Sequence, residues 1–168
     1  MLQPAENMMT VRIALASIAM ASFVCAIAAE TESSDEYSSD LGRVYGAYHR
    51  VLAEKEACDA SVPATRAAND KAFTNWQAQH MTLVEDLRRR VTAMIRLAST
   101  DEKDYARNLG KYEGAILQER QEYYDSLLKL GAGELRGQCQ RMAAVLKGPE
   151  ADLAKVYAAE LEAIRKRK

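Results

Sequence analysis

The sequence predicts an all-α protein: an up-and-down antiparallel bundle of four to five helices with a long central hairpin, stapled by one disulfide. Three observations carry that expectation. Apolar residues recur three and four apart from residue 40 almost to the end of the chain, and no segment alternates with period two over a useful length. Pro63, Gly131 and Gly148-Pro149 fall between the helical patterns rather than inside them. The connections between long helical patterns are short, which makes consecutive helices antiparallel neighbours.

The first 28 residues stand apart from that pattern. Arg12 precedes the apolar run "IALASIAMASFVCAIAA", and Ala26 and Ala28 supply the small residues that a signal peptidase requires, so cleavage is expected before Ala29. The polar start "LQPAEN" is untypical and points to Met8 or Met9 as the start of the signal. An uncleaved anchor is the first rival, but Ile13 to Ala29 is 17 residues, the short limit of a spanning helix, and it is rich in Ala and Ser. Lipidation at Cys25 is the second, and Val24 directly before the cysteine fits that chemistry poorly. The expected organisation is therefore a cleaved secretory signal over 1–28, an acidic disordered leader over 29–39 and one helical-bundle domain over 40–168. The leader stretch "ETESSDEYSSD" has five acids, no base and five Ser or Thr, a composition that favours solvation over burial.

Helix one is expected over 40–59, with Leu41, Val44, Tyr45, Tyr48, Val51 and Leu52 on its apolar face. Ser61 is the expected cap of helix two and Pro63 lies in its first turn, where a missing N–H costs nothing. Helix two, about 62–98, carries Phe73, Trp76, His80, Leu83, Leu87, Val91 and Ile95 on one stripe. "STDE" at 99–102 reads as a capping box between Ser99 and Glu102, opening a third helix that runs to Leu130, with Gly131 as its stop. Two shorter helices, split by Gly148-Pro149, complete the chain.

Net charge is −1 before and after removal of 1–28, because Glu6 and Arg12 leave together. That balance argues against nucleic acid as the partner and, with the signal cut, against stable membrane insertion. Export to a periplasmic or secreted location makes Cys58 and Cys139 an expected disulfide. Topology agrees, since Cys58 is one turn above the helix one–two connection and Cys139 about two turns above the helix three–four connection, a level difference of ~5–8 Å.

Little in the sequence points to catalysis or to a cofactor. The two histidines, His49 and His80, are offset by ~10 Å along the bundle, and neither follows Glu or Asp by three residues. No C-x-x-C-H, H-E-x-x-H or phosphate loop occurs, so no enzyme, metal or cofactor is expected. His80 is expected to be a hydrogen-bonded core residue, with a small-ligand or haem site around Trp76 and His80 as the alternative function.

What remains is surface. Helix three has a second stripe, Gly110, Gly114, Leu117, Tyr124 and Leu128, about 120° from its main face. Such a stripe ordinarily touches a second neighbour in the same bundle; otherwise it is a homodimer or partner face. Gly42-x-x-x-Gly46 repeats the small-residue spacing on helix one. The hairpin tip, with Arg88, Arg89, Arg90, Arg96, Lys103 and Arg107, is expected to project; the final "RKRK" is expected to complement the helix macrodipole or, on a sharper reading, to meet anionic lipid or a partner, the acidic 30–40 segment among the candidates. By size and compartment the expected role is a non-enzymatic protein-binding protein, such as a chaperone, inhibitor or neutraliser.

Overall fold

The computed structural model describes the backbone of residues 21–167 and the side chains of residues 35–167. The expected signal cleavage site and the Cys25 side chain lie outside the described side chains. Helix α1 spans Ala21–Ser61, α2 Arg66–Leu97, α3 Glu102–Leu128, α4 Ala132–Val145, α5 Leu153–Val156 and α6 Ala158–Lys166. Short 3₁₀ turns at Pro63–Thr65 and Pro149–Ala151 separate α1 from α2 and α4 from α5. No strand occurs among the described residues, and no described helix is long and apolar enough to cross a membrane.

The chain divides into two units, Met1–Asp35 and Glu36–Lys168. In the second, α1 and α3 run one way while α2 and the broken sequence α4–α5–α6 run the other, the expected up-and-down bundle. Among the described residues helical conformation is present from Ala21 onward, well before residue 40. Within the bundle unit the reason is visible at Tyr37, which packs on the buried Leu41, Leu87 and Ile164 group instead of remaining in solvent.

From residue 41 to residue 60, only Arg43, Arg50, Glu56 and Ala60 of α1 are exposed. The helix is therefore buried on nearly every side, touching α2, α4 and α6 through the contacts described below. Small side chains make this close approach feasible: Ala53 and Ala57 are fully buried and Gly46 is buried as well. Lys55 is also inside, and two carboxylates, Asp59 and Asp70, hold its ammonium group there. Their hydrogen bonds outweigh the opposing effect of burial and raise its pKa.

The core has two centres. At the end nearest the α1–α2 connection, Trp76, Leu127, Leu135, Met142 and Leu153 pack around the two cysteines. The sulfurs of Cys58 and Cys139 are 2.10 Å apart and their Cα atoms 5.4 Å apart, a bonded pair joining α1 to α4. At the other end Leu41, Val44, Leu87, Val91, Ile95, Leu161 and Ile164 form an aliphatic cluster. Leu83 and Tyr157 pack against both.

The helix ends depart from the expected caps. Ser61 belongs to α1, and Pro63 opens the 3₁₀ turn instead of α2. Asp101, rather than Ser99, caps α3 by accepting from the Asp104 N–H at 2.8 Å, while the Asp104 carboxylate accepts from the Thr100 N–H at 3.0 Å. This is a variant of the capping box moved two residues along, in which the returning carboxylate bonds the N–H of Thr100, one residue before the cap, instead of that of Asp101. Ser99 is committed elsewhere, donating to the Ile95 carbonyl at 2.7 Å, and Glu102 pairs with Arg96. Gly131 is the N-cap residue of α4, with φ −58° and ψ 143°; α3 closes earlier through the Leu130 N–H bonded to the Leu127 carbonyl. Gly148-Pro149 breaks the fourth arm as expected, and a second irregularity at Tyr157 divides α5 from α6.

Candidate functional site

α3 packs on the bundle with a narrow stripe. Only Ile116 and Leu127 of this helix are buried, while Tyr105, Leu109, Tyr112 and Tyr123 are partly covered along the same side. The second stripe faces outward. Gly110 and Gly114 are exposed, and a Cβ built at either meets nothing within 4 Å. Leu117 is 56% exposed and Leu128 43% exposed. Tyr124 lies at the margin, half-buried against the cluster around Trp76. This face is therefore not the contact with a second neighbour inside the bundle. The buried side of α3 already accommodates the bundle, and nothing from the described chain covers the other side.

Gly42 and Gly46 serve a different purpose. A Cβ at Gly46 would sit 3.7 Å from the Glu119 carboxylate of α3, so this pair lies in the α1–α3 groove. The groove has a volume of about 390 Å³, and Arg43, Arg50, Tyr112 and Glu119 are among its walls. The Tyr112 hydroxyl is buried without a hydrogen-bond partner, and burial, reinforced by Tyr45 and Glu119, pushes its pKa up to about 12. Sequence reasoning identified the glycine spacing but not this groove, because Tyr112 and Glu119 come from another helix.

The histidines do not form a common site. His49 is wedged edge-on between Tyr45 and Tyr48, with centroid distances of 4.7 and 5.6 Å, and neither ring nitrogen has a partner. Burial, and then the Arg120 charge, lowers its pKa. His80 packs 5.0 Å from Trp76 and lines a recess of about 220 Å³ beside Gly148-Pro149, with Lys147, Asp152 and Lys155. Its Nε2 is buried and unpartnered, which departs from the hydrogen-bonded histidine expected from sequence. Burial lowers its pKa, opposed by the Asp152 charge. Trp76 is fixed: its Nε1 donates to the Ala151 carbonyl at 2.7 Å and its ring stacks on Tyr48 at 5.8 Å. The side chains around Trp76 and His80 thus fill this part of the core, and the adjoining recess is smaller than the roughly 300–1,000 Å³ usual for ligand pockets. Among the described residues no group of three or more His, Cys, Asp or Glu side chains is placed to hold a metal ion.

The basic clusters are largely matched by acids. Asp86 receives Arg89 and Arg90, Arg96 meets Glu102 while lying over the Tyr105 ring at 3.6 Å, and Arg107 meets Asp104. The hairpin is covered as far as Ile95 by α6 and Tyr37, so its inner face does not project into solvent. Near the C-terminus Arg167 bonds Glu36 at 3.3 Å and lies over Tyr37, while Lys166 bonds Glu162 at 2.7 Å. Arg167 of the basic run thus meets the acidic 30–40 segment, a partner considered from sequence, while Lys166 pairs within its own helix. No protein-family model matches the chain, and neither a curated protein nor a solved structure matches it.

Proposed function

We propose that this chain is an exported, non-enzymatic protein-binding protein whose working surface is the outward face of α3, formed by Gly110, Gly114, Leu117, Tyr124 and Leu128. One observation carries the reading: two leucines, 56% and 43% exposed, stand on the same open stripe as two glycines over which no side chain lies. Apolar side chains clustered on an accessible strip with small residues beside them suit close contact with another protein surface. The bonded Cys58–Cys139 pair is compatible with a periplasmic or secreted location.

The test is capture of a protein partner by the chain and by a Tyr124→Glu/Leu128→Glu variant. Capture is lost in the variant while thermal unfolding stays cooperative; unchanged capture removes this face from consideration. The second reading, a small-ligand carrier, draws on the unpartnered His80 Nε2 beside the 220 Å³ recess. Haem titration tests its haem form, and a flat Soret region counts against it.

A further inference from the structure

We propose that the partner of the α3 face is a second copy of the same chain, α3 against α3 in an antiparallel two-fold contact. This deepens the reading of α3 as the working surface and rests on it. The seam positions are Gly110, Gly114, Leu117, Gln121 and Leu128, all exposed, together with the half-buried Tyr124 at the margin, spaced alternately four and three residues apart. That is the 3.5-residue repeat of a helix–helix seam, here ~27 Å long.

In an antiparallel seam each position of one type faces the other type on the partner helix. With the two-fold axis passing near residue 119, Gly110 faces Leu128 of the second copy, Gly114 faces Tyr124 and Leu117 faces Gln121. Tyr124 and Leu128 of each copy therefore land on the two glycines of the other. Both glycine positions have open space where a Cβ would be, so each can receive a side chain.

The flanks agree in charge. On one side of the seam Gln118 faces its own counterpart, and Lys111 faces Asp125, a pairing that the symmetry repeats. Lys111, Gln118 and Asp125 are all exposed. On the other flank Arg120 faces its counterpart, but its guanidinium is already paired with Glu56 of α1. A parallel arrangement sets glycine against glycine and leaves a gap at the two small positions, and the one charge match on its flanks, Arg120 opposite Asp125, competes with the Arg120–Glu56 pair. Size complementarity thus selects the antiparallel orientation, and the Lys111–Asp125 pairing fits it.

Sedimentation velocity of the full chain across a concentration series tests this, with four variants made in the same background. Lys111→Asp weakens self-association by about tenfold or more, because it sets like charges opposite each other. Adding Asp125→Lys restores it. Gly114→Leu abolishes the dimer by occupying the space that Tyr124 of the second copy fills, yet raises the melting temperature of the monomer, since leucine favours helix and its Cβ meets nothing within 4 Å in its own chain. Glu122→Lys, directed away from the seam, leaves association unchanged. A parent chain that stays monomeric, or self-association indifferent to Gly114→Leu and to the charge reversal, overturns the proposal. If capture of a different protein is nevertheless lost in Tyr124→Glu/Leu128→Glu, the reading of α3 as a binding face stands and only the identity of the partner falls.

Discussion

The two ends of the bundle are held by different means. Around Trp76 the packing is fastened by directional contacts: the Cys58–Cys139 bond, the Trp76 hydrogen bond to Ala151, and Asn69, 1% exposed, donating to the Cys139 carbonyl at 3.1 Å and to the Thr65 hydroxyl. Around Leu87 the core is purely aliphatic, and the polar contacts lie at its edge, in Arg43–Glu160, Arg167–Glu36 and Arg90 to the Ile164 carbonyl. Directional bonds fix one arrangement at the first end. The second depends on shape and area, so it should lose stability in proportion to the volume removed.

The sharpest way to break this contrast is to remove the disulfide. Cys58→Ser/Cys139→Ser releases a loop of 81 residues from its constraint, and on the chain-entropy account costs roughly 4–5 kcal/mol as an upper figure. Urea unfolding measures the loss, and native-state hydrogen exchange locates it, with the amides around Cys139 expected to lose protection first. Leu87→Ala tests the other end. Leu87 is fully buried, and truncating it should cost about 2–5 kcal/mol, depending on how far the cluster collapses. Asn69→Ala comes next, at about 1–3 kcal/mol, since it deletes the buried polar link between α2 and α4.

A pH series combined with one substitution separates the histidine contributions. His49 and His80 both have pKa values lowered from 6.5 in the folded chain. The unfolded chain therefore takes up protons first, and stability falls as pH drops below about 6.5 until the folded values are passed. Above that window the contribution is flat. Chemical unfolding at pH 7.5 and pH 5 reads the difference, and His80→Gln should reduce the part that belongs to the Trp76 end. The smallest effect is expected from Arg167→Ala. Its partner Glu36 is largely exposed, so the loss should be under about 1 kcal/mol and should shrink further in high salt.

This contrast also marks what could be read from the residues alone. The disulfide was legible because compartment and helix level agree independently on Cys58 and Cys139. The class and the Gly148-Pro149 break were legible because helical spacing and breakers report directly on the backbone. The near-complete burial of α1 was not, since alanines and a glycine do not stand out as core positions, and the burial of Lys55 depends on Asp70 from another helix. The capping register failed because "STDE" offers several competent side chains, and the choice between Ser99 and Asp101 depends on where α2 ends. For the α3 face, the stripe itself was legible. Its exposure was not, because that depends on which side α1 occupies.

The disulfide also has a consequence far from its sulfurs. Along the chain, Glu36 and Arg167 are 131 residues apart. Through the sulfur bridge the path is 22 residues from Glu36 to Cys58 and 28 from Cys139 to Arg167. A loop of 131 residues is thereby replaced by one of about 50, which lowers the entropy of closing the distant end by ~0.9 kcal/mol. The bridge works there as a shortcut: by keeping the first and last arms within reach of each other, it makes the aliphatic cluster easier to assemble without touching a single atom of it.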